Sequence, residues 1–440
     1  MKKIIALFLM LLVPALLTSC GDGNYNYNGN DIYEYTIVYE EEDYDTEEEL
    51  PRPEEHVTVR YLADLDFLYE TLMANFPLVN ALERRGFDFH DRFDRARSSI
   101  EGRTFFSDEA FITVLDHYIF THPVVFGTMT GSGHQAFGHL SMSRDNPSVI
   151  HSFRHEWQIF WDILDNPATR AFYSFNDSHF ALRERAHDTV VEPVFTDTGI
   201  RNVATDILEE GRIAYIQIPR MHSNNSEGDR LYLLDFFKQI ENYEHLIVDI
   251  RGNPGGDPAI FTQWVMAPNI AEPLSYHHRS FFMAGEHNMR FAEYFGLTLL
   301  PVTDEILGRF NYLHPDDAPL FDYFVTTEMI IQPSEESPVF TGKFWLLTDG
   351  MNFSAADYVA ALVKQTGFAT LVGTQTNGGG MGMFPVMVTL PNTGIVIRYR
   401  PVYEVDERGR NSYEHGTTPD IFNFEGMDAL ETVLAIINAE

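Results

Sequence analysis

Thiols, positive charge and long apolar runs are all scarce in this chain. Cysteine occurs once, at position 20, which leaves no disulfide framework and, once that residue is consumed near the N-terminus, no thiol nucleophile. Lysine and arginine number 30 against 65 aspartates and glutamates, a formal net charge of −35. That balance excludes a nucleic-acid partner, because phosphate binding needs a basic face. Acidity of this order speaks for solubility and an extracellular life rather than for any fold. Beyond residue 20 no stretch is long and apolar enough for a bilayer span, which takes about 20 residues. The 17 histidines include no HExxH or comparable ligand spacing, so no metal is expected. Gly378-Gly379-Gly380 lacks the Lys and Ser or Thr that complete a phosphate loop, and no other motif calls for a cofactor.

What the chain does have is apolar mass: 440 residues, 44% hydrophobic and 14% aromatic, enough for two domains behind a disordered lead. Its first residues read as an export signal. Lys2 and Lys3 give a positive start, residues 4–17 an apolar run, and Leu17-Thr18-Ser19-Cys20 closes it in the pattern of a bacterial lipobox. The expectation is a lipidated Cys20 that anchors the chain to a membrane on the extracytoplasmic side, with residues 1–20 as the signal peptide. Residues 21–55 are rich in Asn, Tyr, Gly and acid, including the acidic run 40–49. Such a segment buries too little apolar surface to offset its ordering entropy and should be a disordered tether.

Helical periodicity starts near Val57, with Leu62, Leu65, Leu68, Leu72 and Phe76 on one face and Pro77 ending it. Ser107 reads as an N-cap before Asp108, Glu109 and a stripe through Phe111, Leu115 and Ile119. Residues 56–150 therefore form an N-terminal helical domain, and 151–210 are a mixed connection. From Gly211 the period changes: residues 213–218 and 245–250 are β-rich, separated by an amphipathic stretch with Leu233, Leu234, Phe237 and Ile240. Residues 344–348 repeat the pattern before another helix that stops near Gly367, and 370–373 restart strand. Alternation of strand and helix marks an α/β layer over 211–440, interrupted at about 258–340 by an aromatic, lid-like insertion.

Two motifs carry chemistry. Asp249-Ile250-Arg251-Gly252-Asn253-Pro254-Gly255-Gly256 directly follows a buried strand, and glycines there permit unusual backbone angles and leave amides to face a developing oxyanion, unless they only make a turn. Thr348-Asp349-Gly350-Met351-Asn352-Phe353-Ser354 precedes Ala355-Ala356-Asp357-Tyr358 and an apolar helix. A serine at a helix start sits where the dipole and free amides favour negative charge, although the same position suits an ordinary N-cap.

Together with Val372-Gly373-Thr374-Gln375-Thr376-Asn377-Gly378-Gly379 and the closing Tyr413-Glu414-His415-Gly416-Thr417-Thr418-Pro419-Asp420-Ile421, these motifs resemble the tail-specific (C-terminal processing) peptidase family. The resemblance covers residues 211–425 and implies a crotonase-like α/β core of β-β-α units behind a helical N-terminal domain. No PDZ domain is evident between the two. The processing branch of the family has its general-base lysine 25 positions after the serine, where this chain has Gly379, so a Ser-Lys dyad is excluded at that place. The chain is similar instead to the branch of the tricorn core and the retinoid-binding repeats, which uses a histidine from the N-terminal domain and a late glutamate.

That resemblance implies Ser354 as nucleophile. His139, in Phe137-Gly138-His139-Leu140-Ser141, is the nearest match to the base, although Phe137 stands where the branch has Asp; His134 is the rival. Either imidazole suits the task near neutral pH. Glu414 is the implied carboxylate support, with Asp357 as the alternative, and the amides of Gly255 or Gly256 and of Ala355 are the implied oxyanion hole. The expected activity is serine-type hydrolysis of peptide or protein substrates. The alternative is a non-catalytic module that holds a peptide or apolar ligand on the same fold.

Overall fold

The computed structural model describes residues 57–103, 105–121, 125, 129–130, 163, 165–173, 202–221, 226–335, 337–380 and 385–440. The first helix, α1 (Val57–Asn75), buries the expected stripe, with Leu65, Leu68, Leu72 and Phe76 all shielded from solvent. Pro77 follows at once, and a proline restrains the residue before it from helical geometry. After α2 (Val79–Arg84), α3 (Phe89–Ile100) starts from Asp88, whose side chain accepts from Asp91 N. Ser107 caps α4 (Asp108–Leu115) as expected, accepting from Ala110 N at 3.2 Å. Among the described residues no helix is long and apolar enough to cross a membrane.

The α/β core is a six-stranded sheet of order β13-β9-β8-β4-β3-β2. β2 (Ala204–Glu209) and β3 (Ile213–Gln217) make an antiparallel pair through the turn at Gly211. β3, β4 (His245–Asp249), β8 (Lys343–Thr348), β9 (Thr370–Gly373) and β13 (Ile421–Phe422) run parallel. Every residue of β4 is buried, the continuous apolar pattern of a strand covered on both faces. One face packs Ala214, Leu246, Val248 and Leu346 against helices that bring Leu233, Phe237, Val359 and Leu362. The other packs Ile247, Trp345 and Val372 against Val433 and Ile437 of the C-terminal helix, Ala429–Ile437.

Residues 258–340 do more than cover this sheet. They carry β5 (Leu274–Phe282), β6 (Leu300–Pro301) and β7 (Tyr323–Ile331), which join β12 (Val402–Glu404) in an antiparallel sheet of order β12-β5-β7-β6. A third sheet, β1-β11-β10, combines β1 (Met129–Thr130) with β10 (Val386–Thr389) and β11 (Val396–Tyr399). The N-terminal helices do not bury their stripes among themselves alone: Leu65, Leu72 and Phe89 share one core with Val388, Ile397, Tyr399 and Tyr403.

Asp64 locks that shared core. Fully buried in α1, it accepts from Asn392 N and Nδ2 at 2.8 and 2.9 Å and from Thr393 N and Oγ1 at 2.8 and 2.7 Å. A carboxylate with four donors offsets the desolvation that would otherwise drive it out of the core. Asp64→Ala would orphan those donors, and urea denaturation should show a loss of about 2–4 kcal/mol.

Candidate active site

The site gathers at the carboxyl ends of β4, β8 and β9, where α/β sheets open their crevices. β4 ends at Asp249, which accepts from Tyr215 Oη at 2.6 Å and pairs with Arg251 at 2.7 Å. The following turn is pinned by side chains. Asn253 Nδ2 donates to Ile218 O at 2.8 Å, Gly252 N donates to Asp349, and Asn352 Nδ2 reaches Ile250 O. β8 leads through Asp349 and Asn352 into Ser354, which opens the helix Ala355–Thr366, ended by a left-handed Gly367.

Ser354 has φ 53° and ψ −123°, the one positive φ at a non-glycine among the described residues. Such backbone stores of order 1–3 kcal/mol and lasts only where its surroundings over-determine it. Three contacts do so here. Ser354 N donates to Gly378 O at 3.1 Å, and Ser354 O accepts from Tyr358 N at 2.9 Å. Gly255, at φ 109°, lies so close that a Cβ there would stand 2.9 Å from Ser354 Cβ and 2.7 Å from Phe353 O. The geometry is a strand-to-helix elbow that presents a hydroxyl. The Ser354 hydroxyl makes no side-chain cap bond, and the residue is half-buried rather than sealed.

The two glycine amides differ. Gly255 N is taken by Asn253 Oδ1 at 2.8 Å. Met221 pairs with the groups either side of Gly256, donating to Gly255 O at 3.2 Å and accepting from Asp257 N at 2.7 Å. Gly256 N therefore points away from Met221.

Asp357 is fully buried and committed elsewhere. It accepts from Thr376 Oγ1 at 2.5 Å, Thr417 Oγ1 at 2.8 Å and Gly380 N at 3.0 Å. Burial pushes its pKa up while these donors pull it down. It thus ties the helix Ala355–Thr366 to the turn after β9 and to the C-terminal loop. Glu414 is also engaged: Arg84 of α2 holds it at 2.9 and 2.7 Å and grips the buried Asp317 at 2.9 and 2.7 Å. Glu414 stands two residues before Gly416, whereas the family pattern has its glutamate three before; Tyr413 occupies that place.

His134, His139 and Cys20 lie outside the described residues. Among the described histidines, His278 stacks on Tyr358 of the helix Ala355–Thr366 with centroids 5.6 Å apart. Burial brings its pKa down to about 4, and its ring contacts are to Tyr276 and Tyr358. At position 379 a Cβ would meet Phe353 Cε2 at 2.6 Å on a backbone of φ 74°. Any side chain there would have to displace the Phe353 ring. Among the described residues no cluster of His, Cys, Asp and Glu could hold a metal ion.

The sequence model of peptidase family S41 matches residues 212–422. That match, over just under half of the chain, lies in its α/β core. A protein from Parabacteroides merdae ATCC 43184 assigned to the peptidases is similar at a TM-score of 0.48 and 15% identity, covering 86% of this chain and 96% of its own. Mature CPAF complexed with lactacystin aligns at 0.45 and 13%, over 87% and 97%. A lipoprotein from Streptococcus agalactiae aligns at 0.42 and 12%, over 86% and 96%. No curated protein matches the sequence. For this S41 core the mixed α/β fold with a parallel sheet, and the lack of an evident PDZ domain among the described residues, agree with the expectation.

Glu404 carried no sequence signal. Fully buried at the end of β12, it pairs with Arg400 at 3.3 Å, and Arg400 Nη2 donates to Gly379 O at 2.6 Å. Its second oxygen, Oε2, has no hydrogen-bond partner among the described residues. Burial raises its pKa to about 7, against the pull of Arg400. Because the folded pKa exceeds the unfolded one, the folded state holds its proton more tightly, and stability from this group is present at acid pH and lost as pH rises from about 4.5 to 7. Comparing wild type with Glu404→Gln by urea denaturation at pH 5 and pH 8 should show the variant gaining about 2–3 kcal/mol relative to wild type across that interval.

Proposed function

We propose that this S41 chain is a serine endopeptidase that cleaves extended peptides through an acyl-enzyme. The observation that carries the reading is the elbow at Ser354, a strained backbone held by Gly255 and Gly378 that leaves the hydroxyl half-exposed at a helix start. Ser354 Oγ attacks the scissile carbonyl, and the amides of Gly256 and Ala355 receive the oxyanion. The hydroxyl proton passes to an imidazole, for which His139 is the first candidate and His134 the second, and from it to the leaving amine. Water then releases the acyl group by the same route in reverse. Glu414 would orient that imidazole only by leaving Arg84; as it stands it ties the C-terminal loop to the N-terminal helices.

The engagement of Glu414 favours one other reading, a module that binds peptide or apolar ligand without cleaving it. A fluorophosphonate probe decides between them. The pure protein should be labelled, and labelling should vanish in Ser354→Ala and fall by about 100-fold or more in His139→Ala. Equal labelling of Ser354→Ala, or none in the wild type, removes the peptidase reading.

We also propose that Cys20 carries lipid and anchors the protein on the outer side of a membrane, with the tether of residues 21–55 between anchor and core. The sequence of residues 1–20 supports this. Full-length protein should partition into the detergent phase of Triton X-114, and Cys20→Ser should move it to the aqueous phase.

A further inference from the structure

Gly378, Gly379 and Gly380 follow one another with no side chain of their own to fix the turn. Glycine loses more conformational freedom on folding than any other residue, so such a run takes its shape from what surrounds it. Gly378 and Gly379 stand at φ 81° and 74°, two successive left-handed residues. Each glycine is held by a different element. Gly378 O accepts from Ser354 N at 3.1 Å, Gly379 O accepts from Arg400 Nη2 at 2.6 Å, and Gly380 N donates to Asp357 Oδ2 at 3.0 Å. Gly378 also lies so close to the C-terminal loop that a Cβ there would stand 2.2 Å from Ser412 O.

Arg400 stands out among these holders. It occupies the link Arg400-Pro401 between β11 and β12, where a cation would ordinarily face water, yet its side chain is 13% exposed. Burying a guanidinium is costly unless it is paired and hydrogen-bonded. Glu404 supplies the counter-charge: it is buried at the end of β12 and its Oε1 lies 3.3 Å from Nη1. The planar fork thus has one arm on a carboxylate and the other on a glycine carbonyl. A buried ion pair is often no more stable than apolar side chains of the same volume. What apolar side chains could not do in this place is hold Gly379 O.

We propose that Arg400 is a positioning residue for the nucleophile, holding Gly379 O so that the adjoining Gly378 O stays where it receives Ser354 N, with Glu404 keeping the guanidinium in place. Its consequence for reactivity rests on the peptidase reading, whereas its consequence for the elbow's backbone does not. The path is short. With Gly379 O released, the peptide between Gly378 and Gly379 can turn about bonds that no Cβ hinders, and Gly378 O swings away from Ser354 N. Ser354 then loses one of the contacts that keep it at φ 53°. A shift of about 1 Å in a reacting group is enough to lower a rate about 100-fold.

The test compares full-length wild type with Arg400→Met and Arg400→Lys by two readouts, fluorophosphonate labelling kinetics and amide hydrogen exchange followed by mass spectrometry. Arg400→Met should lower the labelling rate at saturating probe about 100-fold and change the half-saturating probe concentration less than about threefold. Arg400→Lys, whose single ammonium cannot span both partners, should lower the same rate about tenfold or more. In both variants exchange should quicken about tenfold or more in peptides covering residues 349–358 and 374–380, while peptides covering 213–217 and 245–249 keep the wild-type rate. Labelling at the wild-type rate in both variants overturns the proposal, and so does faster exchange spread through those strands, which would make Arg400 a prop of the whole fold. A wild type that fluorophosphonate does not label removes the peptidase reading alone. Exchange then decides: quickening confined to the elbow and its turn supports the role of Arg400, and unchanged exchange there overturns it.

Discussion

The arrangement turns on one backbone conformation. Ser354 at φ 53° is held because strands far apart in sequence deliver their ends to it: the turn after β4 brings Gly255, the turn after β9 brings Gly378, and the helix that begins at Ala355 closes the loop through Tyr358 N. No local preference of the segment Asn352-Phe353-Ser354 would choose that geometry, since a serine at positive φ is disfavoured in the unfolded chain. The parallel sheet is therefore the instrument that keeps the serine strained, and its register is what a site of this kind depends on. Asn253 and Asn352 serve the register, each bonding a backbone group that the turns would otherwise leave buried and unpaired.

Around the elbow lies a second tier made of buried acids. Asp357 joins the helix Ala355–Thr366 to Thr376, Gly380 and Thr417, and Glu404 reaches Gly379 through Arg400. Both carboxylates sit where ionisation is costly, and both spend their charge on the turn that carries Gly378. A third acid, Asp317, receives Arg84 and Tyr403 Oη, and Arg84 extends to Glu414. The helical N-terminal part, the strands of residues 274–331 and the C-terminal loop are thus fastened together by charge-assisted bonds over a common apolar core.

Much of this was legible in the residues. The stripe from Leu65 to Phe76, the cap at Ser107, the runs of β3, β4 and β8 and the stop at Gly367 are local signals, set by period and by glycine or proline punctuation. The elbow serine and the glycine turn could be placed from motif order. What the sequence could not yield were partners chosen at long range. Nothing local says that Glu404 pairs in β12 with Ser280 of β5 and is buried there, or that Arg84 claims Glu414. Nor can a motif distinguish Gly255 from Gly256: the difference is one hydrogen bond from Asn253, visible only once the turn is folded.

The packing of Phe353 beneath Gly379 also sets the tolerance of that turn. Any side chain at position 379 would have to push the ring aside while adopting a backbone of φ 74°, so the smallest residue is what lets the turn close over the aromatic face.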